Sequence, residues 1–266
     1  MLKKRIIFTL LYCDGYFVQS RNFNLQKVGD VNWIKKNYDF KKISYYIDEL
    51  AVLDISRKKR NLDLFIKNLN LITKFSFIPV SVGGGISCFD EAKTILSNGA
   101  DKIIINSNLR YDLLKEISKT YGQQSIIASL DFKKEGSKYE LFSNNGSKKI
   151  DISIKDYLKK ISKYPVGEIL INSIDKDGTG NGLELDVLKY FPDKIDKSVI
   201  ISGGCGNSMH ISAGLKNKKV DAVNTANLLN FMGDGLKKAR EDMINNNFKL
   251  PTWNEDTIKK IRNIFK

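Results

Sequence analysis

The sequence predicts an α/β fold, a closed (β/α)8 barrel of the TIM type with a twofold half-barrel repeat. Eight short runs rich in apolar and β-branched residues alternate with amphipathic helical patterns over 266 residues, the count expected for such a barrel. Glycine-rich segments at residues 82–86 and 202–206 follow the third and seventh runs, 120 residues apart. A doubly wound open sheet has the same alternation, but a repeat of four units favours the closed barrel.

The apolar runs define the strands, and the helical periodicity defines the helices. The predicted strands comprise residues 6–12, 49–55, 78–82, 102–106, 125–131, 168–172, 198–202 and 222–225. The predicted helices comprise residues 35–46, 62–73, 90–97, 111–120, 154–162, 185–190 and 209–216, with a last one beginning near residue 234. We expect residues 1–250 to form a single barrel domain and residues 251–266 to form a basic C-terminal helix or tail.

Two connections are longer than a simple link between elements. Residues 17–31 follow the first strand on the side where a barrel carries its active site, which predicts a lid. Residues 133–150 contain Gly136, an alternating apolar stretch and the pair Asn145-Gly146, which predicts a small hairpin.

The charge composition narrows the class of ligand. Lys and Arg number 44 against 30 Asp and Glu, so the net charge is +14. This excess fits attraction of an anionic small molecule, nucleic-acid binding, or a lysine-rich surface without function. The basic residues are spread over many helices and no aromatic RNA-binding motif is present, which disfavours nucleic acid.

Other composition features exclude several classes of site. Three scattered cysteines and a single histidine, His210, disfavour metal sites and histidine-dependent nucleophiles, so we expect no metal and no cofactor. The N-terminal apolar run lacks a small-residue cleavage site, and no apolar run is long enough to cross a membrane. We therefore expect a cytoplasmic protein that does not bind membranes.

The glycine segments predict two phosphate cradles. Glycines at 83–85, and again Gly203 and Gly204, stand between a predicted strand and a predicted helix. Uncovered backbone N–H groups and the helix dipole favour an anion there, although a tight turn explains either segment alone equally well. Aspartates repeat at a similar distance, at positions 101 and 221 and at positions 54 and 177. Two similar halves favour a ligand with a phosphate at both ends.

One carboxylate stands where a barrel carries its chemistry. Asp131 ends the fifth predicted strand and is a candidate general acid or base, with a loop cap as the alternative. Its counterpart 120 residues earlier is Leu11. Because leucine cannot move a proton, a mechanism with two carboxylates across the barrel mouth is unsupported.

The opposite ends of the strands carry charges of both signs. Arg5, Glu49, Lys102 and Glu168 each start a predicted strand. If they point inward, two cations and two anions ring the barrel floor, and their alternating signs allow them to pair. Such a ring is either an electrostatic plug that closes the barrel or a gate through which a small polar molecule passes.

These residues together resemble the HisF family, the cyclase subunit of imidazole glycerol phosphate synthase. The resemblance extends in order over about residues 1–235. The matching segments are residues 3–7, 14–15, 48–50, 53–55, 82–86, 99–102, 131, 167–170, 173–179 and 202–204.

The resemblance implies a heterodimer with a HisH-like glutaminase, which would release ammonia at the N-terminal face of the barrel. Ammonia would pass the gate of Arg5, Glu49, Lys102 and Glu168, and Asp101 would contact the glutaminase. The ligand would be a phosphorylated small molecule. Its phosphate sites would be Gly84, Gly85, Asn106 and Ser107 at one end, and Asp177, Gly178, Gly203, Gly204, Ala226 and Asn227 at the other.

Three positions depart from the family pattern. Leu11 stands in place of the first catalytic aspartate, Gln19 in place of a lid lysine, and Asn227 in place of a serine. Leu11 resembles a paralog group of HisF, the WbuZ type, which works with a glutaminase and a sugar amidotransferase to convert acetamido groups of lipopolysaccharide or flagellar glycans into acetamidino groups. A genuine cyclase in histidine biosynthesis and a scaffold that only activates a glutaminase are the alternatives.

Overall fold

The structure is a computed structural model and describes residues 3–57, 60–74, 76–192, 195–227, 229–252, 254 and 256. The strands are β1 (Arg5–Cys13), β2 (Tyr16–Arg21), β3 (Asn24–Gly29), β4 (Glu49–Asp54), β5 (Val80–Gly83), β6 (Lys102–Ile105), β7 (Ile126–Glu135), β8 (Lys138–Ser143), β9 (Lys148–Ile150), β10 (Glu168–Ser173), β11 (Ser198–Ser202) and β12 (Ala222–Thr225). The α-helices are α1 (Val31–Asn37), α2 (Phe40–Ile43), α3 (Leu62–Thr73), α4 (Phe89–Ser97), α5 (Tyr111–Tyr121), α6 (Ile154–Ile161), α7 (Ser208–Lys216) and α8 (Gly235–Asn245).

Eight parallel strands close into a barrel. Their order is β1-β4-β5-β6-β7-β10-β11-β12, and β12 pairs with β1 to complete the circle. Helices lie between successive barrel strands, as right-handed crossover connections require. The predicted TIM barrel is therefore confirmed, and the open sheet is excluded.

Alternation along each strand separates two cores. In β1, Ile6, Phe8 and Leu10 belong to the large core between sheet and helices, whereas Ile7 belongs to a small cluster inside the barrel. The rest of that inner cluster consists of Ala51, Ile104, Ile127, Leu170, Ile200 and Ala222, with Leu53 packed against it. Burial on both faces explains why the barrel strands are continuous apolar runs.

Both long connections are β-hairpins. Residues 17–31, predicted as a lid loop, contain the antiparallel pair β2–β3, which also pairs with the end of β1. Its turn residues Asn22 and Phe23 both have positive φ, which is the conformation of a tight two-residue hairpin turn. The second hairpin, β7–β8, confirms the prediction for residues 133–150, and β9 adds a third strand.

Two predicted helices differ from the structure. The helix predicted at residues 35–46 is two helices, α1 and α2, because Tyr38 and Asp39 are extended and the Asp39 carboxylate accepts hydrogen bonds from Lys41 N and Lys42 N to cap α2. The helix predicted at residues 185–190 is a 3-10 helix, Leu185–Tyr190. Of the predicted tail at residues 251–266, most lies outside the described residues.

The two halves of the barrel have the same strand pairing pattern. Leu11 pairs in register with Leu53 across β1 and β4, and Asp131 pairs with Asn172 across β7 and β10. Leu11 is thus the structural counterpart of Asp131, as the repeat predicts.

The prediction that Asp54 and Asp177 occupy equivalent positions in the two halves of the barrel is wrong. Ile55 N donates to Tyr12 O in one half, and Ile174 N donates to Phe132 O in the other. The counterpart of Asp54 is therefore Ser173, the residue just before Ile174. Asp177 lies one turn later in the connection and has a role of its own.

Candidate active site at the barrel mouth

The N-terminal end of the barrel contains a closed ring of four charges, which we call the charged ring. Arg5 Nη1 lies 3.0 Å from Glu49 Oε2, and Arg5 Nη2 lies 2.5 Å from Glu168 Oε2. Lys102 Nζ lies 2.7 Å from the same Glu49 oxygen and 2.6 Å from Glu168 Oε1. The predicted convergence of these side chains is therefore present, with each cation touching both anions.

The charged ring is held in place by hydroxyl groups of neighbouring strands. Ser198 Oγ accepts a 2.9 Å hydrogen bond from Arg5 Nη2, and Ser81 Oγ donates to Glu49 Oε1. Burial alone would raise the pKa of Glu168, but Arg5 and Lys102 outweigh it and lower that pKa. Glu168 is therefore ionised at neutral pH, and the two anions of the ring depend on both cations for compensation.

One apolar layer lies above the charged ring. Two residues after Arg5, Glu49, Lys102 and Glu168 come Ile7, Ala51, Ile104 and Leu170, each pointing to the same barrel interior. Ile104 and Leu170 also line the cavity on the far side. A layer one side chain thick, about 6–7 Å along the strand, thus separates the ring from the cavity. Such a layer admits a small neutral molecule far more easily than an ion.

The C-terminal ends of the strands enclose a cavity of about 630 Å³, which we call the mouth cavity. Among the sequence-predicted residues, Gly84, Gly85, Asn106, Ser107, Asp131, Asp177 and Ala226 line it. The remaining predicted phosphate residues, Gly178, Gly203, Gly204 and Asn227, line a small adjoining cavity that shares Asp177 and Ala226 with the first. The structure therefore brings all of them to one face of the barrel, while their roles stay predictions.

Asp131 stands on the polar wall of the mouth cavity between two amides. Asn106 Nδ2 donates to its Oδ2 at 3.0 Å, and Asn172 Nδ2 donates to its Oδ1 at 3.1 Å. Burial raises the pKa of Asp131 to about 7, with the nearby Asp177 adding to the rise and the two amides opposing it. A carboxyl oriented in this way and titrating near neutrality is suited to accept or return a proton.

The strand positions that stand opposite Asp131 are apolar. Leu11 and Leu53 face each other there, and Leu25 of the β2–β3 hairpin adds a third leucine. β1 and β7 lie four strands apart in a barrel of eight, so Leu11 and Asp131 stand on opposite sides. The position equivalent to Asp131 is therefore apolar, although Asp54, which follows Leu53, also lines the cavity.

The first cradle, defined as Gly84, Gly85, Asn106 and Ser107, is built by tight contacts as well as by open backbone. Gly84 has a φ of +120°, and a Cβ there would overlap the backbone oxygen of Asp54. Close approach of two backbones therefore requires this glycine whether or not an anion binds. Asn144 N of the second hairpin donates to Ser107 Oγ at 2.9 Å and closes the outer edge of the cradle.

The second cradle, the remaining predicted phosphate residues, lies where α7 begins. Asn207 caps α7 by accepting from His210 N at 3.1 Å, so the helix dipole points at this region. His210 Nδ1 accepts from Gly206 N at 3.2 Å, which uses the histidine as a structural acceptor.

The β2–β3 hairpin, which we call the mouth hairpin, is tied down over the second cradle. Asp177 Oδ2 accepts from Ser20 Oγ and from Phe23 N, the latter at 3.2 Å. Asn22 Nδ2 donates to Asp175 O at 2.7 Å. Burial raises the pKa of Asp177, and the two hydrogen bonds oppose the rise. Asp177, predicted as a phosphate residue, is thus engaged with the mouth hairpin.

Asp101, predicted at the glutaminase interface, has a structural partner. Its carboxylate accepts from Val80 N at 2.8 Å, and Asp221 accepts from Val199 N at 2.9 Å in the other half. The 120-residue aspartate repeat therefore reflects the capping of equivalent strand starts. Both contacts lie at the end of the barrel that carries the charged ring.

The sequence reading missed several residues that line the mouth cavity. Arg57 follows β4 within a run of basic residues, where it looked like ordinary surface charge. Phe23 and Leu25 fell inside a segment predicted as loop. Residues 16–21 do not alternate between apolar and polar side chains, so the period-two signal of a strand was absent there.

Two further features bear on the class of site. In the described part of the chain, no three His, Cys, Asp or Glu side chains are grouped in a way that could hold a metal ion. Nor do the described helices include one long and apolar enough to span a bilayer.

Comparisons with known proteins agree with the fold. A family described as "Histidine biosynthesis protein" matches residues 5–233. A protein of Parasynechococcus marenigrum (strain WH8102), named "Putative imidazole glycerol phosphate synthase subunit hisF2", is 45% identical over 243 residues, which cover 91% of this chain and 90% of that protein. The resemblance to HisF is thus confirmed at the level of the family, and the chain belongs to the histidine biosynthesis protein family.

Proposed function

We propose that this chain is the ammonia-accepting barrel subunit of a glutamine amidotransferase complex that makes acetamidino sugars for lipopolysaccharide or flagellar glycans. A HisH-like glutaminase would dock at the charged ring and release ammonia there. Neutral ammonia would cross the apolar layer, which resists ammonium, and reach the mouth cavity. A sugar amidotransferase would be the further partner.

One observation favours the acetamidino-sugar pathway over histidine biosynthesis. Leu11 and Leu53 form an apolar pair where the other half of the barrel has Asp131 and Asn172. Ring closure with a proton donor on one side and a proton acceptor on the other needs two titratable groups across the cavity. With leucine at the position equivalent to Asp131, the cavity favours delivery of ammonia, or one proton transfer by Asp131, over a cyclisation that uses a carboxylate at each of the two equivalent positions.

The test follows the nitrogen atom. The chain, a HisH-like glutaminase and a sugar amidotransferase of the WbuZ-associated type are combined with amide-15N glutamine and a nucleotide-linked acetamido sugar. We expect 15N in the acetamidino group, and at least tenfold less when the barrel chain is omitted. Equal labelling without the barrel chain would contradict the proposal.

The alternative is a genuine imidazole glycerol phosphate synthase cyclase in histidine biosynthesis. Two observations favour it: the name of the Parasynechococcus relative, and the pKa of Asp131 near 7, which suits a single group that serves as both acid and base. Growth of a cyclase-deficient histidine auxotroph that expresses this chain would support it. Lack of growth despite folded protein would count against it.

A further inference from the structure

The charges that line the mouth cavity are unbalanced for a phosphorylated ligand. Three carboxylates, Asp54, Asp131 and Asp177, line it, and Arg57 is the one cation among the described lining residues. A dianionic phosphate near three carboxylates needs a compensating cation. Backbone N–H groups supply only partial charges.

We propose that Arg57 binds the phosphate of the ligand at the first cradle, and that the same guanidinium fastens the tip of the mouth hairpin over it. The inference rests on one expectation implied by the family resemblance, namely that the first cradle takes a phosphate monoester. It adds a binding residue that lies outside the glycine cradle.

The mouth hairpin brings no cation of its own to the cavity. Position 19 is glutamine, and the two cations of the hairpin, Arg21 and Lys27, do not line the cavity. Lys27 Nζ instead lies 3.1 Å from the ring centroid of Tyr16 on the outer side. The positive charge that a phosphate requires must therefore come from the barrel, and Arg57 is in position to supply it.

Arg57 has donors to spare. Its Nη2 donates to Phe23 O at the tip of the mouth hairpin. Within the described ranges, no carboxylate lies within ion-pair distance of it. A guanidinium has five N–H donors and matches phosphate bidentately, so it can hold Phe23 O and a phosphate together.

Arg60, on the same loop, shows the contrast. Its Nη2 pairs with Glu91, and its Nη1 donates to Gly84 O. Its charge is thus already compensated, and it supports the first cradle from behind. These contacts also place the loop between β4 and α3 against the first cradle, because β4 pairs with β5 and Leu53 is in register with Gly83. Arg57 lies on this loop and lines the mouth cavity, so we assign it to the first cradle.

The experiment measures binding of inorganic phosphate and of glycerol 3-phosphate by calorimetry at about 0.15 M salt, where long-range attraction is screened. Arg57→Gln removes the charge and keeps much of the length. Arg57→Lys keeps the charge without the fork. Arg21→Gln is the matched control, because it removes one exposed charge from the same face without touching the cavity.

We expect Arg57→Gln to weaken binding at least about tenfold, since charge-assisted hydrogen bonds are the strong ones. Arg57→Lys should recover part of the affinity, and Arg21→Gln should stay within about twofold of wild type. Phosphate should also slow tryptic cleavage after Arg21 and Lys27 in the wild type, but not in Arg57→Gln. If Arg57 had only a structural role, its substitution would not reduce both the phosphate affinity and the protection from trypsin that phosphate gives.

Other outcomes overturn the assignment. If Arg57→Gln binds phosphate within twofold of wild type, or if Arg21→Gln weakens binding equally, Arg57 is not the ligand. A Gly85→Asp variant, which places a carboxylate in the first cradle, tests phosphate binding by the cradle separately from the role of Arg57. Loss of binding in Gly85→Asp alone would reject Arg57 and keep the cradle, whereas a wild type that binds no phosphate would reject both.

Discussion

At the scale of single residues, Leu11 makes the position opposite Asp131 in the mouth cavity apolar. It is buried, it faces Leu53, and it occupies the place that Asp131 holds in the other half. Asp131 tolerates its burial because Asn106 and Asn172 donate to both of its oxygens. A carboxylate at position 11 would have no such amide in register, because position 53 is also apolar.

This comparison predicts that Leu11→Asp alone destabilises the protein by about 3 kcal/mol, since it buries a carboxylate beside leucine. The double variant Leu11→Asp/Leu53→Asn recreates the pair found at Asp131 and Asn172. It should recover at least about 1 kcal/mol relative to the single variant, because an amide donor now faces the carboxylate. Urea denaturation measures both free energies. A double variant less stable than Leu11→Asp would contradict the equivalence of the two halves.

Asp131 predicts a pH dependence. Its pKa is raised to about 7, so the fold disfavours the ionised form, and its contribution to stability falls as pH rises from about 4 to about 7. Relative to Asp131→Asn, the wild type should lose up to about 1.4 kcal/mol per pH unit across that window. The variant keeps its contacts because Asn172 can turn its amide to accept. A pH-independent difference between the two proteins would show that Asp131 titrates normally.

At the scale of elements, β1, β4, β6 and β10 are joined at their N-terminal ends by the salt bridges of the charged ring. The charged ring satisfies each buried anion twice. Removing one cation leaves two carboxylates with half of their compensation. Breaking the ring is therefore costly to the barrel whether or not the ring also acts as a gate.

Lys102→Met should destabilise the protein by about 3 kcal/mol, because Glu49 and Glu168 stay buried with Arg5 alone. Adding Glu168→Gln to that variant should restore roughly 1 kcal/mol or more, since one uncompensated charge is removed. Chemical denaturation of the four proteins forms a double-mutant cycle. Additive effects of the two substitutions would mean that the ring is not coupled.

The mouth hairpin should be held chiefly by Asp177. Ser20→Ala removes one of the two donors to Asp177 Oδ2, which leaves a buried carboxylate oxygen with Phe23 N only. Hydrogen exchange of the amides at Asn22 and Phe23 should speed up about tenfold, which corresponds to about 1.4 kcal/mol. Ser147→Ala, in the turn between β8 and β9, is the control. Unchanged exchange in Ser20→Ala would show that other contacts hold the hairpin.

At the scale of the whole molecule, apolar periodicity and spacing were enough to predict the closed barrel and most element bounds. The sequence failed where tertiary contacts decide. The break at Tyr38–Asp39 depends on a cap that competes with helix periodicity, and the mouth hairpin is stabilised by pairing to β1. Arg57 was missed because a basic run shows nothing about which of its side chains turns inward.

The site was predictable to a similar degree. Strand ends in a barrel converge by geometry, so the charged ring and the cradle residues could be placed from register alone. The engagement of Asp177 with Ser20 and of Asp101 with Val80 could not, because both depend on backbone paths of connecting segments. The structure therefore assigns structural partners to two residues predicted from family resemblance.

The most direct test of the account is the cyclase reaction itself. Purified protein is supplied with saturating ammonium salt at a pH where ammonia is present, together with the bisphosphorylated ribulosyl-formimino-AICAR compound, and imidazole glycerol phosphate is measured. We predict turnover at the background level, because Leu11, the counterpart of Asp131 in the other half of the barrel, cannot transfer a proton. Robust turnover by the unmodified chain would contradict the proposed role and identify a histidine-pathway cyclase.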